Sequence, residues 1–137
     1  MRVRAHGELS AREVGELVGV SGTTIGQWAR RGLIRSSQSE GEPRVYGVED
    51  VGEAAVVAEL LSRGVKHKAI HAAIARLRDG GRAWPLSDAW LATTDEPRPR
   101  IVLRDESAAY ALDPRGWQRL ALPPPLREVR VRLRRAA

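Results

Sequence analysis

Residues 12–51 read REVGELVGVSGTTIGQWARRGLIRSSQSEGEPRVYGVEDV, and the order of helix starts, stops and β-compatible runs in this stretch decides the fold. Just ahead of it, Ser10-Ala11-Arg12-Glu13 has capping-box spacing: the Ser10 hydroxyl can accept the Glu13 amide while the carboxylate reaches back. Val14, Leu17 and Val18 then fall on one helical face. Gly19 suits the left-handed residue that closes such a helix, since it has no Cβ to clash. Val20 plugs the corner and Ser21 caps a second helix, expected from about Gly22 to Arg31. Ile25, Trp28 and Ala29, at i, i+3 and i+4, face inward against the first helix.

That leaves Ser21, Thr23, Thr24 and Gln27 pointing outward, with Arg30 and Arg31 at the far end. Small hydroxyls, an amide and guanidinium groups on one exposed face suit a helix that reads base edges in a groove. An ordinary helical hairpin with a solvated polar face fits the same residues equally well. The next segment favours the first reading. Leu33-Ile34-Arg35 and Arg44-Val45-Tyr46 are short β-compatible runs flanking the polar loop 36–43, which predicts a hairpin, or wing, directly after the second helix. Arg35 and Arg44 would lie near a phosphate backbone on either side of it. A third helix, from Val48 to about Arg63, opens with Glu49 and Asp50 in its first turn, where the helix dipole favours acids.

Three segments carry a resemblance to the winged helix-turn-helix of the MerR superfamily: Val20-Ser21-Gly22-Thr23-Thr24-Ile25, then Trp28-Ala29-Arg30-Arg31-Gly32-Leu33-Ile34, then Arg44-Val45-Tyr46 with Glu49-Asp50-Val51. The resemblance covers about residues 8–79. It implies that the second helix enters the major groove while the wing's arginine and tyrosine hold phosphates, roles that fall on Thr23, Thr24, Gln27, Arg44 and Tyr46. Trp28 stands where members usually carry a tyrosine, which is similar to the small BldC-type regulators. The expected DNA-binding set is thus Ser21, Thr23, Thr24, Gln27, Trp28, Arg30, Arg31, Arg35, Arg44 and Tyr46. Gly26 departs from the pattern, because the family commonly has an arginine there that contacts the DNA backbone. Losing it should lower the salt slope of binding by about one unit.

Composition sets wider bounds. The 137 residues suit one domain or one small domain with an appendage, and 42% hydrophobic content is enough for a core. Phenylalanine is absent, so Trp28, Trp84, Trp90 and Trp117 carry most of the aromatic packing. The lack of cysteine excludes disulfides, thiolate metal sites and cysteine nucleophiles, and fits a reducing cytoplasm. No stretch reads as a signal peptide or a membrane span. The net charge of +6 and pI near 10.9 favour an anionic partner, although 21 of the 23 basic residues are arginine, as the codon bias of a GC-rich genome would also give. Residues 1–47 carry only +2, 48–80 are neutral and 81–137 carry +4. The reader's case therefore rests on arrangement rather than charge.

Along the chain, Val51, Ala54, Ala55, Ala58 and Leu61 predict the buried stripe of the third helix, which Gly64 ends. A fourth helix, about Lys66 to Arg78, buries Ile70, Ala73, Ile74 and Leu77 and stops at Gly80-Gly81. His67 and His71 have i, i+4 spacing but no evident third ligand, so a solvated face is preferred and no metal is expected. After the composition break near 81, Pro85 to Leu91 suggests a short helical turn, and 96–100, with two prolines, cannot be helical. Residues 101–104 and 108–112 read as a β-hairpin and Trp117 to Leu122 as a third strand. Beyond Pro123-Pro124-Pro125, Leu126, Val129 and Leu133 lean to helix.

The expected fold class is mainly α: an N-terminal winged helix-turn-helix, residues 1–80, and a small α+β C-terminal module with a β-hairpin, residues 81–137. Trp84, Trp90, Trp117 and Tyr110 are read as the core of that module in preference to a ligand pocket. The leading function is a sequence-specific, DNA-binding transcriptional regulator, a homodimer on double-stranded DNA, with no cofactor and no membrane association. The alternative is an antitoxin-type or adaptor protein whose residues 81–137 bind a protein partner, with autoregulatory DNA binding. The segment Trp84-Pro85-Leu86 through Leu91-Ala92-Thr93-Thr94 and Ile101-Val102-Leu103 resembles the C-terminal part of small antitoxin-like members. An architectural, excisionase-like protein is a third reading. No P-loop, dinucleotide fingerprint or nucleophile–base pair suggests an enzyme, and no catalytic residue is expected.

Overall fold

The computed structural model describes residues 9–36 and 44–120. In chain order these form α1 (Ala11–Val18), α2 (Gly22–Arg30), α3 (Val48–Ser62) and α4 (His67–Asp79), then β1 (Trp90–Thr93), β2 (Ile101–Arg104), β3 (Ala109–Asp113) and β4 (Gly116–Leu120). The capping box at Ser10 is present, with the Glu13 amide on the Ser10 hydroxyl and the Ser10 amide on the Glu13 carboxylate, both at 3.2 Å. Gly19 ends α1 at φ 91°. The Ser21 hydroxyl then accepts the Thr24 amide at 3.1 Å and opens α2.

Two glycines set how tightly α1 and α2 fold together. A Cβ on Gly15 would lie 2.5 Å from the Val20 carbonyl oxygen, and one on Gly22 would lie 3.0 Å from the Arg12 backbone. The helices meet backbone to backbone at the turn, and Val14, Ile25, Trp28 and Ala29 close the gap beyond it. α2 ends on Gly32, at φ 76°, with the Leu33 amide bonded to the Trp28 carbonyl at 2.9 Å.

The expected first arm of the wing is corrected here. Residues 33–36 are not a strand, and Leu33 and Ile34 are both buried. Consecutive burial breaks the alternation a strand requires, because both side chains plug the core under the end of α2. Tyr46 instead pairs with Leu9 in an isolated antiparallel bridge, through backbone bonds of 2.8 and 3.0 Å. Arg44 donates to the Ser36 hydroxyl at 3.1 Å, so the two ends of the expected loop do meet. The loop's residues 37–43 lie outside the described residues.

α3 buries a face one position away from the expected stripe: Asp50, Glu53, Ala54, Val57 and Leu60 point inward, Ala55 is exposed, and Val51, Ala58 and Leu61 flank the face. Of its four acids Glu49 and Glu59 are exposed, while Asp50 and Glu53 are buried against backbone amides. α4 buries the expected Ile70, Ala73, Ile74 and Leu77.

The four strands form one antiparallel meander in sequence order. Its first strand, Trp90–Thr93, replaces part of the helical turn expected over 85–91; it pairs with β2 from Trp90–Arg104 to Thr93–Ile101. The hairpin and third strand expected further on are β2, β3 and β4. Four helices are thus followed by a four-stranded sheet. The expectation for residues 126–133 lies outside the described residues. Leu86, Ile101 and Leu112 belong to the same core as Val14, Ile25, Val57 and Ile74, so packing is continuous across position 80. Val102, Ala109 and Ala111, with Ala92 and Leu120, form a smaller cluster on the opposite face of the sheet.

Candidate nucleic-acid interface

With Ile25, Trp28 and Ala29 turned into the core, the helix leaves Ser21, Thr23, Gln27 and Arg30 exposed and Thr24 half-buried. Ser21 and Thr24 also share a hydroxyl–hydroxyl bond of 2.9 Å, so both take part in the cap as well as the surface. Gly26 makes no close packing contact. The nearest atom to a Cβ there would be Arg30 Nη1, at 3.4 Å, which places the Arg30 guanidinium back along α2 over the glycine. Arg31 is exposed beside it.

The segments on either side of residues 37–43 add Arg35, exposed, and Arg44, half-buried and held by Ser36. Burial pushes the Tyr46 phenol above its usual range, while Arg44 and Arg30 lie near enough to oppose the shift and Asp50 adds to it. The end of α2 and the segment after residue 43 thus each bring an arginine near Tyr46. Arginines arranged in this way beside a polar helix face suit a phosphate backbone on either side of a groove.

Two members of the expected set do not reach this surface. Trp28 is 4% exposed and Tyr46 is fully buried, its hydroxyl without a hydrogen-bond partner among the described residues. Both lie in the core of this structure. Trp28 fills the space under α1, and Tyr46 is drawn in by its pairing with Leu9.

Behind Arg35 and Arg44 lie contacts that the sequence did not signal. The Arg35 guanidinium carbon stands 5.7 Å from the ring centroid of Trp84, 49 residues later in the chain. Below them, the Glu53 carboxylate accepts the amides of Leu86, at 2.9 Å, and Ser87. Asp50 accepts the Gly47 amide at 2.8 Å; burial, the largest effect, raises its pKa, and the Gly47 bond works against it. Arg78 has a buried Nε with no partner among the described residues, and burial followed by the nearby Arg35 lowers its pKa. No local periodicity signals such contacts, since each joins segments far apart in sequence.

His67 and His71 are exposed, and among the described residues no three His, Cys, Asp or Glu side chains are grouped to hold a metal. No described helix is long and apolar enough to cross a membrane. A groove of about 350 Å³ runs between α3 and β1, lined by Val56, Leu60, Leu86 and Leu91 with Glu59 and Arg63 at its rim. None of the tryptophans lines it. Trp117 packs on the main core, whereas Trp90 is 59% exposed with Arg104 stacked on it at 4.7 Å.

Residues 9–77, just over half the chain, match the family model described as the MerR HTH family regulatory protein. No curated protein matches the chain. The capped and glycine-hinged pair α1–α2, the inward set of α2 and the family match agree: this chain belongs to the MerR family of helix-turn-helix regulatory proteins.

Proposed function

We propose that the protein is a sequence-specific transcriptional regulator that binds double-stranded DNA as a homodimer, with α2 in the major groove and the wing arginines on phosphates. The observation that carries this reading is the division of α2: Ile25, Trp28 and Ala29 are buried, while Thr23 and Gln27 are exposed between Arg30, Arg31 and the arm arginines. A nine-residue helix offers few base contacts, so a second copy on an adjacent half-site is the economical source of affinity. Replacing Arg44 with alanine should weaken binding nearly uniformly across sequences and flatten the salt dependence by about one unit. Gln27→Ala or Thr24→Ala should instead change the preferred sequence, by about 1–3 kcal/mol per lost base contact. Titration of matched and mismatched duplexes separates the two, and identical behaviour of both kinds of variant would sink the division of roles.

A second reading, an adaptor or antitoxin-type protein whose residues 81–137 hold a protein partner, draws on the exposed Trp90 and its Arg104 stack on the sheet. It predicts that Trp90→Ala abolishes a stoichiometric complex while leaving DNA affinity intact.

A further inference from the structure

We propose that Trp84 is a positioning residue of the DNA-binding surface: its ring carries the Arg35 guanidinium and presents it to a phosphate. This deepens the DNA-binding reading and rests on it. Arg35 stands at the start of the wing, one residue before the Ser36 hydroxyl that Arg44 grips. Its guanidinium carbon lies 5.7 Å from the Trp84 centroid, within the range of a cation–π contact. A guanidinium held against a ring keeps its N–H donors at its edges, free for a planar or tetrahedral oxyanion. The arginine is exposed, so its edges are open to such a partner. Without the ring, a long side chain at this site has many rotamers to give up on binding.

The ring itself is anchored. The Trp84 amide donates to Asp88 Oδ2 at 3.2 Å, and the Asp88 amide donates back to the Trp84 carbonyl at 2.8 Å, which closes the turn. That turn is fastened to α3, because the Glu53 carboxylate, 3% exposed, takes the Leu86 and Ser87 amides and Leu86 is buried at 1%. Beneath, Arg78 lies near enough to Arg35 for that positive charge to lower the Arg78 pKa, after the larger effect of burial. The C-terminal half thereby reaches into the wing through one aromatic ring. Residues 9–77 alone contain Arg35 but not its support.

The experiment uses the full chain and a labelled duplex of mixed sequence at low salt, with affinities measured for a double-mutant cycle. Trp84→Ala should weaken binding about two- to fivefold, the value of one such contact at an exposed site. In an Arg35→Ala background the same change should have no further effect. Arg35→Lys, which keeps the charge but lacks the planar group, should lose about as much as Trp84→Ala, and it keeps the test available if the tryptophan variant fails to fold. Unchanged affinity in Trp84→Ala and Arg35→Lys would overturn the inference while leaving the DNA-binding reading in place. So would an equal loss in both Arg35 backgrounds, which would mark Trp84 as a packing residue only. Failure of the wild-type chain to bind duplex would overturn the DNA-binding reading and this inference with it.

Discussion

One oxygen of Asp50 accepts the Gly47 amide at 2.8 Å, while the other is buried with no hydrogen-bond partner among the described residues. The bond pins the first turn of α3 to the residue that follows Tyr46, so it fixes where the helix begins. Burial nevertheless disfavours the charged form, and the carboxyl titrates above its usual range.

A pH dependence follows. Between the usual aspartate value and the raised one, the folded chain binds more protons at this site than the unfolded chain. The group's contribution to stability is therefore fully present below the usual value and is lost as pH rises through the folded-state pKa. Asp50→Asn keeps an oxygen for the Gly47 amide and removes the titration. Urea unfolding of both proteins across a pH series should show the variant gaining on the wild type as pH rises through this window. A constant difference, or a gain in the opposite direction, would contradict the assignment.

Gly26 has room. Only the flexible end of Arg30 comes within 3.4 Å of a Cβ placed there. Gly26→Ala should raise stability by about 0.5–1 kcal/mol, the usual helix penalty of glycine, as read by urea unfolding. Gly26→Arg should add a phosphate contact and steepen the salt slope of DNA binding by about one unit. A destabilised alanine variant would reveal a contact that the glycine makes and the structure does not.

Tyr46→Phe separates the two roles considered for the wing tyrosine. The buried hydroxyl lacks a partner among the described residues, so its removal should leave stability unchanged or raise it by about 1 kcal/mol. DNA affinity should not change. Thermal melting and duplex titration of the same variant check both statements, and a several-fold loss of affinity would restore the phosphate contact implied by the family resemblance.

What was legible in the sequence was local. The Ser10 and Ser21 caps, the Gly19 stop, the inward set of α2 and the stripe of α4 each depend on residues within one or two turns of each other. The site's exposed residues followed, because once Ile25, Trp28 and Ala29 point inward, Thr23 and Gln27 have only the other side. The face of α3 was not legible: small and apolar residues lie on more than one side of it, and Glu53 is drawn inside by amides 33 and 34 residues away. β1 was missed for a similar reason, since Trp90–Thr93 becomes a strand by pairing with 101–104. Tyr46 pairs through its backbone with Leu9, which no spacing rule connects to it. Charge was a poor guide, since residues 1–47 carry only +2.

In the proposed complex the exposed side of α2, flanked by Arg35 and Arg44, sits against a duplex. Selection from random double-stranded DNA with the purified full chain, repeated over a salt series, tests it most directly. The predicted result is enrichment of a motif with two related half-sites about one helical turn apart, whose affinity falls linearly with log salt. A pool that shows no enrichment, from a protein that holds no duplex at low salt, would contradict it.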